Sequence, residues 1–230
     1  MRSLKSTLAG FSAAILGLAV AANAAPVPWS NPSGAVPGLY SWSNGQSDNG
    51  LFGSPIVAGN SFTFFPINFR AVSSNGVAQT TTDRLSFTLE VAPGNPFFEG
   101  ITVVELGDWA ITNGGHVSSD AFLYVTNLNS PVNPPFNPLT GSGSFDANLM
   151  SPPSSGSGNW NITINRSLPA APNGWTRIQV ILDNILQATS PVGGTAIIEK
   201  KVGGITIFIP EPASMSLLAG LGTLAIRRRK

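Results

Sequence analysis

Three features of the sequence predict an all-β fold, a single antiparallel β-sandwich of jelly-roll type. Apolar and polar residues alternate at period two through several interior runs. Asn-Gly pairs recur between those runs, and Asn-Gly supplies the two positive φ angles that a tight hairpin turn needs. No interior stretch sustains a 3.6-residue apolar stripe. The sandwich is expected over residues 25–209. It is flanked by a signal peptide over 1–24 and a C-terminal segment over 210–230 that contains a short transmembrane helix.

The first segment has the layout of a secretory signal. Arg2 and Lys5 make a basic start, Leu8 to Val20 is apolar, and Ala22-Asn23-Ala24 closes the run with small residues. Cleavage after Ala24 makes Ala25 the new N-terminus. A cut one residue later would place Pro26 directly after it, where the fixed φ and missing N–H fit a protease cleft poorly. The secretion machinery is the implied partner, and the chain crosses unfolded.

About eight short strands follow. Ser61–Phe65 is the first candidate. Arg84–Val91 alternates cleanly, with Leu85, Phe87, Leu89 and Val91 on the buried face. Ile101–Leu106 and Ala121–Thr126 are less regular. Trp160, Ile162 and Ile164 alternate with Asn161, Thr163 and Asn165, and Ile178, Val180 and Leu182 repeat the pattern. Thr195–Glu199 and the series Ile205, Ile207, Ile209 complete the set. Turns are expected at Asn44-Gly45, Asn49-Gly50, Asn75-Gly76, Asn113-Gly114, Asn173-Gly174 and Gly203-Gly204. Asp183–Ala188 is the one helical candidate, of a turn or two. Residues 129–159 carry six prolines and Ser-Gly-Ser-Gly runs, and read as a mobile excursion interrupted by a short strand near Ser144–Leu149.

Composition excludes several classes of function. The 230 residues contain no cysteine, which rules out disulfide scaffolds and thiol chemistry, and a single histidine, which rules out a His-pair metal site. Residues 25–209 hold six basic and ten acidic side chains, a net charge of −4. A nucleic-acid binder needs a clustered basic face, and this body has none. Lys200-Lys201 reads as a solvated strand edge that discourages edge pairing.

Candidate chemistry is sparse, and the chain is expected not to be an enzyme. Glu105 and Asp108, flanking Trp109, come nearest to a carboxylate–aromatic cluster. Glycoside hydrolysis needs two facing carboxylates, and the segment reads instead as a strand end with Asp108 in a turn and Trp109 packed below. His116, in a Gly-Gly-His turn, reads as solvated. No cofactor is expected, although oxygen ligands from Asp48, Asn49 and nearby carbonyls would suit a structural calcium. Trp42, Trp109 and Trp175 are the candidate ligand-binding rings, because an exposed ring can stack on the C–H face of a sugar.

The C-terminal segment is more specific. Pro210-Glu211-Pro212 precedes fourteen uncharged residues, Ala213 to Ile226, and then Arg227-Arg228-Arg229-Lys230. As a helix the run would reach ~21 Å at ~1.5 Å per residue. That is short of a ~30 Å hydrocarbon core, yet sufficient with snorkelling and local thinning. The basic end stays cytoplasmic. Pro-Glu-Pro, a short apolar run and a terminal arginine cluster, in that order, resemble the PEP-CTERM sorting signal of bacterial exported proteins. The resemblance implies recognition by an exosortase, a membrane-embedded, cysteine transpeptidase-like enzyme, in bacteria that secrete exopolysaccharide. It also implies anchoring in the membrane during sorting, followed by residence in the envelope, on the cell surface or in the extracellular matrix. In the body, the run Ser43 to Gly53, Asn68-Phe69-Arg70-Ala71 and Ile198-Glu199-Lys200-Lys201 resemble ectodomains that accompany this signal. The expected function is a non-enzymatic structural or interaction role, with matrix components or exopolysaccharide as partners. A carbohydrate-binding module is the alternative, and a glycan-active hydrolase the third reading.

Overall fold

The computed structural model describes residues 25–129, 138–150, 154–169 and 174–209. Among them are thirteen β-strands and no helix, arranged in two antiparallel sheets that face each other as a β-sandwich. The first sheet runs β1 (Val27–Pro28), β3 (Tyr40–Ser47), β7 (Gln79–Val91), β12 (Arg177–Thr189), β9 (His116–Asn127), β10 (Leu139–Asn148). Strand β2 (Gly34–Val36) also pairs with β3. The second sheet runs β11 (Gly156–Ser167), β8 (Gly100–Thr112), β13 (Thr195–Phe208), β5 (Ser61–Phe64), β4 (Ile56–Ala58), and β6 (Arg70–Ser74) pairs with the first part of β13.

The clean alternations sit where expected. Leu85, Phe87 and Leu89 on β7, Trp160, Ile162 and Ile164 on β11, and Ile178, Val180 and Leu182 on β12 all enter the core. Asn161, Thr163 and Asn165 face solvent. Between the sheets, Trp29, Phe62 and Phe87 stack at tilted angles, with Phe62 and Phe87 centroids 5.0 Å apart. Asn75 and Gly76 form a turn with φ of 52° and 82°, and Asn113-Gly114 repeats the pattern at 58° and 87°. Both turns have the two positive φ values the Asn-Gly pair was expected to provide.

Five expectations require correction. Asn44-Gly45 is a bulge inside β3, where the register against β7 shifts between Ser43 and Gln46. Gly45 is needed there because a Cβ would fall 2.1 Å from the Trp29 ring. Gly203-Gly204 is also interior to a strand: β13 continues through it, paired to β8 on one side and β5 on the other. The helical candidate Asp183–Ala188 is the middle of β12, where ladders from β7 and β9 on both sides override local preference. Within 129–159, a ten-residue strand, Leu139–Asn148, replaces the short one expected near Ser144–Leu149. Its glycines face the other sheet's edge, where a Cβ on Gly141 or Gly143 would meet Ile164 at 2.6 Å or Ile162 at 2.5 Å. Finally, Glu105-Leu106-Gly107-Asp108 is mid-strand in β8, not a strand end. The turn expected at Asn173-Gly174 begins at a residue outside those described.

Candidate functional site

The least expected feature is in the centre of the second sheet. Lys200 is not on an edge. It lies on β13 between β8 and β6, and its side chain is fully buried. Ala196, Ile198 and Lys200 all point inward, and so do Gly203, Ile205 and Ile207. The change from even to odd positions is absorbed by a bulge between Lys200 and Val202. That extra residue keeps both halves of the strand facing the core and leaves Lys201 outside.

Glu105 occupies the matching inward position on β8, after Ile101 and Val103. Lys200 Nζ lies 2.7 Å from Glu105 Oε1, and neither side chain has any solvent exposure. The approach lacks hydrogen-bond geometry, since Nζ and both carboxylate oxygens have no hydrogen-bond partner. Two aromatic rings wall the amine, with Nζ 4.9 Å from the Phe52 centroid and 5.0 Å from that of Phe69. Burial pushes the Lys200 amine below its ordinary pKa, while the negative charges of Glu105 and, more weakly, Asp83 oppose that shift.

Asp83, on β7, holds one wall in place. Its carboxylate accepts N–H bonds from Asn49 (2.8 Å), Leu51 (2.8 Å), Phe52 (3.3 Å) and Arg84 (2.9 Å). One buried side chain thus organises the turn after β3 and delivers the Phe52 ring to Lys200. The adjoining wall, Phe69, whose ring meets Phe52 edge-on at 5.4 Å, is tied down by the main chain, where the Lys200 N–H donates to the Phe69 carbonyl at 2.9 Å.

Sequence reasoning missed this cluster. Both residues continue an apolar period-two series, Ala196-Ile198-Lys200 and Ile101-Val103-Glu105. An opposite-charge pair at two inward positions was the available clue. Glu105 and Asp108 do not form a cluster, because residues three apart on a strand point to opposite faces. Asp108 meets Lys201 at 3.7 Å instead, and Lys201 also reaches Glu199 at 2.8 Å.

The other candidates are dispersed. Trp42, on β3, is half-buried; its indole donates to the Asn31 carbonyl at 3.0 Å and meets Phe62 edge-on. Trp109, on β8 in the other sheet, is half-buried beside Phe145. Trp175, just before β12, is 7% exposed. The three rings are not brought together. His116 opens β9, and its Nε2 lies 2.6 Å from Asp146 Oδ2 on β10. Asp48 and Asn49 border an open groove of about 650 Å³ with Asp83, Arg84 and Asp183. Within that groove Asp83 is engaged by backbone N–H groups, and Asp183 pairs with Arg84 at 2.6 Å. Ala25 is the first residue described. Ala22 and Ala24, the Pro210-Glu211-Pro212 motif and the basic residues Arg227 to Lys230 lie outside the described residues.

No family model matches the chain, and no curated protein matches it. Among solved structures it shows a 15% identical similarity to the enzymatically active domain of tailspike protein 4 of bacteriophage CBA120. That match covers 62% of this chain and 20% of that one, with a TM-score of 0.19. The infectious bursal disease virus Gt strain structure matches at 8% identity over 74% of this chain and 50% of that one, with a TM-score of 0.15. The chain therefore spans at most half the length of these two structures.

Proposed function

We propose that the chain is an exported, non-enzymatic β-sandwich with a structural or interaction role in the cell envelope or extracellular matrix. The observation that carries this reading is the ordered C-terminal sequence: Pro210-Glu211-Pro212, an uncharged run, and Arg227 to Lys230. The body's geometry supports it. Among the described residues many ionisable side chains pair with each other, as in Lys200–Glu105, Arg84–Asp183, His116–Asp146 and Lys201–Glu199.

We further infer that the sandwich is a jelly roll. Strands β6, β7, β8 and β9 pair in turn with β13, β12, β11 and β10, and successive pairs alternate between the two sheets. A long antiparallel ribbon rolled on itself produces that order.

The test of sorting separates two elements. Two prolines flanking one carboxylate suit a protease cleft that reads extended chain, whereas the basic cluster resists transfer through hydrocarbon. In a host with an exosortase, Glu211→Ala should be exported but accumulate unprocessed on the membrane. Replacing Arg227 to Lys230 with glutamine should release unprocessed protein. If both variants are processed and located like the parent, the sorting reading is wrong.

A further inference from the structure

A primary amine and a carboxyl group meet at 2.7 Å inside the sandwich, both without solvent exposure. As ions they would be poorly served there. Two buried charges are tolerable when hydrogen bonds satisfy their remaining donors and acceptors, and neither Nζ nor either Glu105 oxygen has such a bond. Proton transfer from ammonium to carboxylate removes both charges, and burial pulls the lysine in that direction. Such a transfer would set a neutral amine against a carboxylic acid, which are the reactants of amide formation.

We propose that Lys200 and Glu105 are joined by an intramolecular isopeptide bond that forms in the folded chain. The Nζ lone pair attacks Glu105 Cδ, the N–C bond forms, and one C–O bond breaks. The departing oxygen leaves as water, carrying the carboxylic proton and one amine proton. Ammonium and carboxylate thus become a secondary amide and one water, and no oxidant or co-reactant is consumed.

The surroundings favour the step. Groups fixed at contact distance react with effective molarities of roughly 10⁵–10⁸ M. The β8–β13 ladder fixes both backbones on either side of the pair, and the bulge at Lys200/Val202 aims the amine inward. Phe52, Phe69 and the sheets exclude the water that would reverse the reaction. Once formed, the bond ties two neighbouring strands and needs no reduced or oxidised environment, which suits a chain without cysteine.

The experiment is mass spectrometry on the full chain, denatured before measurement. The parent should weigh one water less than its sequence. After denaturation and trypsin digestion, cleavage behind Lys200 should be absent, and a branched peptide should link the segment holding Glu105 to the one holding Lys200. Lys200→Met and Glu105→Ala should each restore the full sequence mass. The parent's mass and digest decide the matter even if a variant fails to fold. A parent of full sequence mass that is cut behind Lys200 overturns the proposal, as does a missing water that maps to any other pair.

Discussion

Asp83→Asn is a change of one atom whose effect follows from the geometry around it. Oδ1 accepts the N–H groups of Asn49 and Arg84, and Oδ2 those of Leu51 and Phe52. An amide keeps one oxygen and turns an NH₂ toward the other pair of donors, so two N–H groups lose their acceptor. Each buried donor left without a partner costs about 1–3 kcal/mol, which gives roughly 4 kcal/mol for the pair. For a chain of this size, each kcal/mol lowers Tm by about 2–4 °C, so the melting midpoint should fall by roughly 8–16 °C. Circular dichroism with tryptophan fluorescence, in heat and in urea, measures this directly. The urea slope should be unchanged, because the surface exposed on unfolding is the same. A loss below about 1 kcal/mol would mean that water or a relaxed loop replaces the carboxylate. Asp83 would then not organise the turn that carries Phe52.

Two further outcomes follow from single positions. Gly143→Val inserts a side chain where Ile162 Cγ2 stands 2.5 Å from an ideal Cβ. It should part β10 from β11 at a cost of about 1–3 kcal/mol, read as faster amide exchange along β10 with the centre of β12 still protected. The Tyr40 hydroxyl, which donates to the Gly59 carbonyl at 2.9 Å, is pushed up to about 12 by burial. Between pH 10 and 12 the unfolded chain loses this proton while the folded chain keeps it. The contribution is therefore whole below pH 10 and gone above 12. Tyr40→Phe should flatten that part of the stability–pH curve, and an unchanged slope in urea midpoints across the window would refute the assignment.

How much was legible varied with what each residue faced. β7, β11 and the first half of β12 were readable because one side of each meets the core and the other meets solvent, which writes period two into the sequence. β10 was hidden because two successive inward positions, Gly141 and Gly143, hold glycine, with outward serines between and after them. The apolar surface that fills the space belongs to Ile162 and Ile164 on β11 of the facing sheet, so the pattern is divided between two segments. Gly203-Gly204 resembled a turn because glycine marks backbone freedom, yet in β13 the ladders on both sides decide the conformation. Lys200 read as a solvated edge residue and Glu105 as part of a strand end for the same underlying reason. A charged residue is read as outward unless its partner is known, and that partner lies 95 positions away.

The position of β13 also bears on how this chain is made. It is the last of the described strands and an interior strand of its sheet, bordered by β8 on one side and by β5 and β6 on the other. On the proposed export route, where the chain crosses unfolded, those neighbours arrive before their common partner does. Until Thr195 to Phe208 emerge, they present unpaired N–H and C=O rows, which are templates for another copy of the chain. Assembly of this sheet is therefore a closing event that comes after its other strands have arrived. A chain that stops before Thr195 yields two open edges rather than a smaller sandwich, and a holdase acting in that interval would protect those edges above all.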